Sequence, residues 1–171
     1  HACIARRKFD KALKLVNRGR ASKVDSLGNL PLHIACITGA PIELIESLIS
    51  AFPDAIYARD KNESVPLHYA VRNCTEEVIE CLVAIDSNLL MEKDKLGNTP
   101  LHNACFGKIS KDLIEKFLLQ SPESGQIRNM KGQRAVEYAL FYYDETDPHK
   151  DLIIIMLQRT PAYWLEKIVG E

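Results

Sequence analysis

The sequence predicts an all-α solenoid, in which pairs of short helices are joined by turn or β-hairpin fingers and stacked side by side. Three observations carry that fold class. The chain repeats itself: His33, His68 and His102 fall in one column at separations of 35 and 34 residues, with Glu137 in the same place 35 residues further on. The column is wide, since Asp25, Asp60, Asp94 and Asn129 precede it at a constant distance and Ala35, Ala70, Ala104 and Ala139 follow it. Apolar residues also recur in phase at helical spacing, Leu113, Ile114, Phe117 and Leu118 standing 69 positions after Leu44, Ile45, Leu48 and Ile49. Periods of this length mark arrays in which each unit buries its apolar face only against its neighbours.

Residues 1–24 read as a partial opening unit. Ala2 to Ala5 suggest a first helix and Phe9 to Val16 a second, with Phe9, Leu13 and Val16 on one face and Gly19 as its stop. Residues 25–59 are the first whole unit. Asp25-Ser26-Leu27-Gly28 is a turn that wants glycine at positive φ. Pro31 opens a helix where its missing N–H has no partner to lose, and that helix should run to about Thr38. Gly39-Ala40-Pro41 then turns the chain into a second helix that ends near Ala51. Residues 60–93 repeat the plan with a shorter turn between helices, and residues 94–128 repeat it again. In residues 129–159 the pattern decays to Arg134-Ala135-Val136-Glu137, as expected of a capping unit with one face in water. Residues 160–171 read as a short terminal helix that begins at Pro161 and carries Trp164, Leu165 and Ile168 in one stripe. Glu63 occupies the finger position held elsewhere by Gly28, Gly97 and Gly132, so it is expected in the left-handed conformation at a cost of about 1 kcal/mol.

The segments Leu30-Pro31-Leu32-His33-Ile34-Ala35, Val65-Pro66-Leu67-His68-Tyr69-Ala70 and Thr99-Pro100-Leu101-His102-Asn103-Ala104 resemble the T-P-L-H-x-A signature of ankyrin repeats. The resemblance spans nearly the whole chain. It implies non-catalytic binding of another macromolecule across the concave side made by the fingers and first helices. It also implies a structural role for the histidines, which in that family brace the finger through backbone hydrogen bonds. Leu30 and Val65 replace the signature threonine, so only Thr99 with His102 keeps the full pattern.

Lysine and arginine number 22 against 23 acids, which gives no overall basic excess, and no nucleic-acid partner is expected. No apolar run approaches the ~20 residues that span a bilayer, so no membrane span is expected. Cys3, Cys36 and Cys105 share one repeat position. Stacked units lie about 10 Å apart, beyond the ~7 Å that a disulfide tolerates. Free thiols and an intracellular location, cytoplasmic or nuclear, follow. The opening at His1, in mid-unit, reads as a fragment or the ordered part of a longer chain. The histidines are spread along the stack and cannot share a metal ion. Asp144, Glu145, Asp147 and His149 match no calcium loop. No phosphate loop, nucleophile elbow or zinc-protease helix is present. Neither cofactor, metal nor catalytic residue is expected.

The candidate site is a partner-binding surface. Lys61 and Lys95, with Lys131 near them in the next finger, predict a basic row of fingertips. Just beyond each column residue stand Ile37 and Thr38, Arg72 and Asn73, Phe106 and Gly107, then Phe141 and Tyr142, a mixture enriched at protein interfaces. Glu43, Glu46, Glu76, Glu77, Glu80 and Glu115 should make the back acidic. The expected partner is a protein with an acidic rim and an apolar centre, anchored on Phe106 and Arg72 and steered by the lysines. Two alternatives stand beside this scaffold or adaptor: a regulatory array of a larger enzyme or channel, and a structural subunit of a large assembly. Phe106, Phe141 and Tyr142 have the rival reading of packing between units.

Overall fold

The computed structural model describes residues 1–107 and 109–137, the side chains of residues 105–107 excepted. Expectations that fall on residues 138–171, Phe141, Tyr142 and the terminal helix among them, lie outside the described residues, as does the Phe106 side chain. Three short helices come first, α1 (Ala2–Ala5), α2 (Phe9–Leu13) and α3 (Arg18–Ala21). Three helix pairs follow: α4 (Pro31–Thr38) with α5 (Ile42–Ala51), α6 (Pro66–Asn73) with α7 (Glu76–Ile85), and α8 (Pro100–Gly107) with α9 (Lys111–Gln120). Each first helix starts at the column proline, whose fixed φ suits the first turn. The first helices stack on one another, α1 on α4, α4 on α6 and α6 on α8. Ala35, Ala70 and Ala104, all fully buried, leave them room to approach. One apolar core runs along the stack from Ile4 to Val136, fed by Leu44, Ile45 and Leu48 on α5 and by the matching residues of α7 and α9.

The fingers are turns, and among the described residues there is no strand. Their shape explains the aspartate column. Asp25 Oδ1 accepts from the N–H groups of Leu27 and Asn29 at 2.8 and 2.9 Å. Asp60 does the same for Asn62 and Ser64, Asp94 for Leu96 and Asn98, and Asn129 for Lys131 and Gln133. A short side chain that imitates a backbone carbonyl thus closes each turn. The residue that must bend back has φ of 80° at Gly28, 58° at Glu63, 75° at Gly97 and 74° at Gly132, so Glu63 adopts the left-handed conformation expected of it.

Two features differ from the sequence reading. The second helix of the opening segment stops at Leu13, and Gly19, expected as its stop, lies inside α3. Asn17 restarts the helix by accepting the Arg20 N–H at 3.0 Å, and a fresh cap of this kind competes with continuation. The buried face turns with it: Ala12 goes inward and Leu13 is 40% exposed. Each second helix is also followed by an unanticipated 3₁₀ turn, at Pro53–Tyr57, Ser87–Met91 and Pro122–Gln126. These turns bury Ala55 and Ile56, Leu89 and Leu90, and Ser124 and Gly125 respectively.

Cys3, Cys36, Cys74 and Cys81 are free thiols, and the Cys74 thiol donates to the Cys36 carbonyl at 3.4 Å. Among the described residues no helix is long and apolar enough to cross a membrane, and no cluster of His, Cys, Asp or Glu could hold a metal ion.

Candidate protein-interaction surface

The surface is fixed by a ladder of histidine bonds. His33 Nδ1 accepts the N–H of Leu30 at 3.1 Å, capping its own helix, while Nε2 donates to the carbonyl of Ser64 in the next finger at 3.1 Å. His68 takes the N–H of Val65 at 3.2 Å and reaches the Asn98 carbonyl at 3.0 Å. His102 takes the N–H of Thr99 at 3.2 Å and its hydroxyl at 2.9 Å, and reaches the Gln133 carbonyl at 3.0 Å. Where leucine or valine replaces threonine the imidazole still makes both of its bonds, so the hydroxyl adds to the brace without being needed for it. His1, one position out of column, ties the first finger in the same way through the Asn29 carbonyl at 2.8 Å. Glu137 keeps half the role: its carboxylate accepts the Arg134 N–H at 3.0 Å, but an ionised carboxylate has no proton to donate to a further carbonyl. Burial pushes the imidazoles of His33, His68 and His102 below their ordinary pKa, against the opposing pull of the carbonyls they donate to. They are therefore neutral braces.

The fingers are also joined tip to tip. Lys61 N–H donates to Leu27 O at 3.0 Å, Lys95 N–H to Asn62 O at 2.8 Å, and Met130 N–H to Leu96 O at 3.0 Å. That register places Lys61 and Lys95, both exposed, at successive places of one row. Met130 holds the next place, and exposed Lys131 stands one residue on, in line with Leu27, Asn62 and Leu96. The tips are thus apolar as well as basic. Leu27 and Leu96 are each 61% exposed and Met130 78%. Sequence reasoning passed over these three, although an apolar side chain on a turn that contributes nothing to a helical stripe is a usable signal.

Behind the tips, an open recess of about 360 Å³ lies between the second and third fingers and the first helices. It brings Arg72 and Lys95 together with Tyr69, Leu96 and Asn103. The Tyr69 hydroxyl donates to Asp60, and burial together with this bond raises its pKa. Ile37 is partly exposed at the end of α4, well away from this recess in sequence and absent from its lining. Thr38 spends its hydroxyl on the Ile34 carbonyl at 2.8 Å, and Asn73 spends its amide on the Tyr69 carbonyl at 3.0 Å, so both are tied to their own helices. On the back, Glu43, Glu46, Glu76 and Glu77 are exposed, while Glu80 pairs with Lys116 across α7 and α9.

Fingers closed by aspartate, first helices opened by proline and histidine straps between neighbours all recur at the same interval. A family model described as ankyrin repeats, three copies, matches residues 1–90. The chain belongs to the ankyrin-repeat family. No curated protein matches it. Ankyrin repeats serve as protein–protein interaction modules, and the family is typically non-catalytic. In this ankyrin array the straps hold finger and first helix in a fixed relation, so the face they form together is preorganised, and preorganisation lowers the ordering cost of binding.

Proposed function

We propose that the array is a scaffold or adaptor that binds a protein partner across its concave side, with Leu96 and Arg72 at the centre and Lys61, Lys95 and Lys131 around it. The observation that carries the reading is the interleaving of exposed apolar tips with lysines along a row of fingers locked together by backbone bonds. Apolar anchors supply most of the affinity of such a contact, and rim cations steer the encounter. The matching partner presents an apolar centre with an acidic rim. The test begins with affinity capture on the immobilised chain and identification of what is held. Binding is then measured for Leu96→Ala, Arg72→Ala, a Lys61→Glu/Lys95→Glu pair and a Glu76→Lys/Glu77→Lys pair on the back. The central truncations should each weaken the complex by about 2 kcal/mol, roughly thirtyfold. The lysine pair should slow association and flatten its salt dependence. Equal binding by all front variants, with loss confined to the back pair, would overturn the assignment.

A further inference from the structure

The near-neutral total hides a sharp division of charge. Residues 1–24 contain eight lysines and arginines and a single acid, Asp10, which leaves fourteen cations against twenty-two acids in the remaining residues. All eight of those cations are exposed. Two of them, Arg20 and Lys23, line an open cavity of about 310 Å³ in the opening segment, whose apolar lining includes Ile4, Ala12, Leu15, Val16 and Leu48. Arg20 is held there by donating to the Leu15 carbonyl at 3.1 Å. A largely apolar hollow large enough for an aliphatic side chain therefore opens beside two cations in a segment that is strongly cationic overall.

We infer that the opening segment carries a second docking site, distinct in its lining from the recess at Arg72, for an acidic peptide segment that carries an aliphatic anchor. Charge complementarity selects the acidic partner, since a cationic patch raises the local concentration of anionic segments and speeds their encounter. The cavity selects the anchor, because an apolar side chain buried there leaves water at about 25 cal/mol per Å². Two other anionic partners fit less well. Single-stranded nucleic acid needs aromatic platforms for its bases, and Phe9, half-buried, is the only aromatic residue in this segment. A membrane surface calls for a continuous amphipathic helix, whereas α1, α2 and α3 have four, five and four residues.

The probe is a short labelled peptide of glutamates flanking a central leucine, titrated into the whole chain and followed by fluorescence anisotropy. Binding should weaken as salt rises. Changing the peptide leucine to serine should weaken it at least about tenfold. Leu15→Ser should do the same from the protein side, and Lys23→Glu should weaken binding and lessen its salt dependence. A loss of binding in Arg72→Ala without one in Leu15→Ser would place the peptide in the recess at Arg72 and overturn the inference, which keeps this site distinguishable from the other. Circular dichroism checks that each variant is folded, and the peptide change tests the cavity with the protein unaltered. The inference fails if the peptide does not bind or if the leucine is immaterial. It also fails if an oligonucleotide or anionic vesicles compete through the same residues at lower concentration. Self-association that Lys23→Glu abolishes would assign the site to a second copy instead.

Discussion

The helix pair α6–α7 and the opening segment differ in how much apolar surface they bury. α6 lies between α4 and α8, and its pair buries Leu67, Ala70, Val71, Val78, Ile79, Leu82 and Val83 over helices of eight and ten residues. The opening segment packs against α4 and α5. It buries Ile4, Ala12 and Ala21 over helices of four, five and four residues. Helices this short are unstable alone. Their length in the array thus follows the apolar face each can cover, more than the propensity of its residues. A helix with a broad apolar face runs its full pattern; one with a narrow face breaks where a cap offers an alternative.

The comparison is broken most directly by truncating one leucine in each region. Leu67 is 1% exposed and Leu13 is 40% exposed. Leu67→Ala should cost about 3 kcal/mol, from lost transfer energy and the cavity left behind, and Leu13→Ala less than about 1 kcal/mol. Urea denaturation of the two variants measures both. Equal losses would mean that the opening segment is as tightly packed as the centre.

A junction supplies the next effect. Gly39 ends α4 at φ 65°, and a Cβ there would stand 2.5 Å from the Asn73 carbonyl oxygen at the end of α6. Gly132 has a similar φ of 74°, but among the described residues nothing stands within 4 Å of a Cβ there. Gly39→Ala should cost about 2 kcal/mol or more and Gly132→Ala about 1 kcal/mol, the left-handed penalty alone. The difference isolates the contact between successive pairs. If thermal melts show the two losses to be alike, close approach of the helix ends is not what holds that junction.

These contacts mark how far the sequence could be read. The helix pairs were legible because Pro-Leu-His-x-Ala and the apolar positions after it meet the same surroundings in each unit, so local pattern and packing agree. The 3₁₀ turns were not: Pro53–Tyr57, Ser87–Met91 and Pro122–Gln126 share only a buried third and fourth residue, too short a pattern for a 3.6-residue period to register. The break in the opening segment depends on Asn17 outcompeting a continuous helix, which periodicity does not weigh. At the candidate site, the lysines were readable from the columns. Leu27, Leu96 and Met130 carried a weaker signal, apolar residues on turns outside any helical stripe, and the tip-to-tip bonds are what set them along one row.

The straps give the centre a pH dependence. Burial lowers the pKa of His33, His68 and His102 in the folded chain, so the unfolded chain binds more protons once pH falls below the ordinary imidazole value of about 6.5. Stability is complete above that value and is lost as pH falls below it, until the folded imidazoles are themselves protonated. Protonation also removes the Nδ1 acceptor, so the amides of Leu30, Val65 and Thr99 should lose exchange protection together. Hydrogen exchange followed from about pH 7.5 down to the onset of acid unfolding reads this directly. Protection that stays constant at those three amides would remove the histidines from the account of the centre.

The smallest effect compares two central fingers. Glu63 holds φ 58° where the neighbouring finger has Gly97 at 75°. Glu63→Gly removes the left-handed penalty of about 1 kcal/mol, while the added freedom of glycine in the unfolded chain returns part of it, leaving a gain of about 0.5 kcal/mol. The bond from Arg59 Nη1 to the Glu63 carbonyl, at 2.8 Å, involves the backbone and survives the change. The reverse substitution at Gly97 is not its mirror image. A Cβ there would stand 2.9 Å from the Met130 nitrogen, the same N–H that ties the next finger to Leu96. Gly97→Glu should therefore lose more than the left-handed penalty and loosen the finger that follows, visible as faster exchange at Met130. If Glu63→Gly destabilises, or Gly97→Glu costs only what Glu63→Gly gains, the tip-to-tip bond does not constrain the turn, and the fingers are independent of one another.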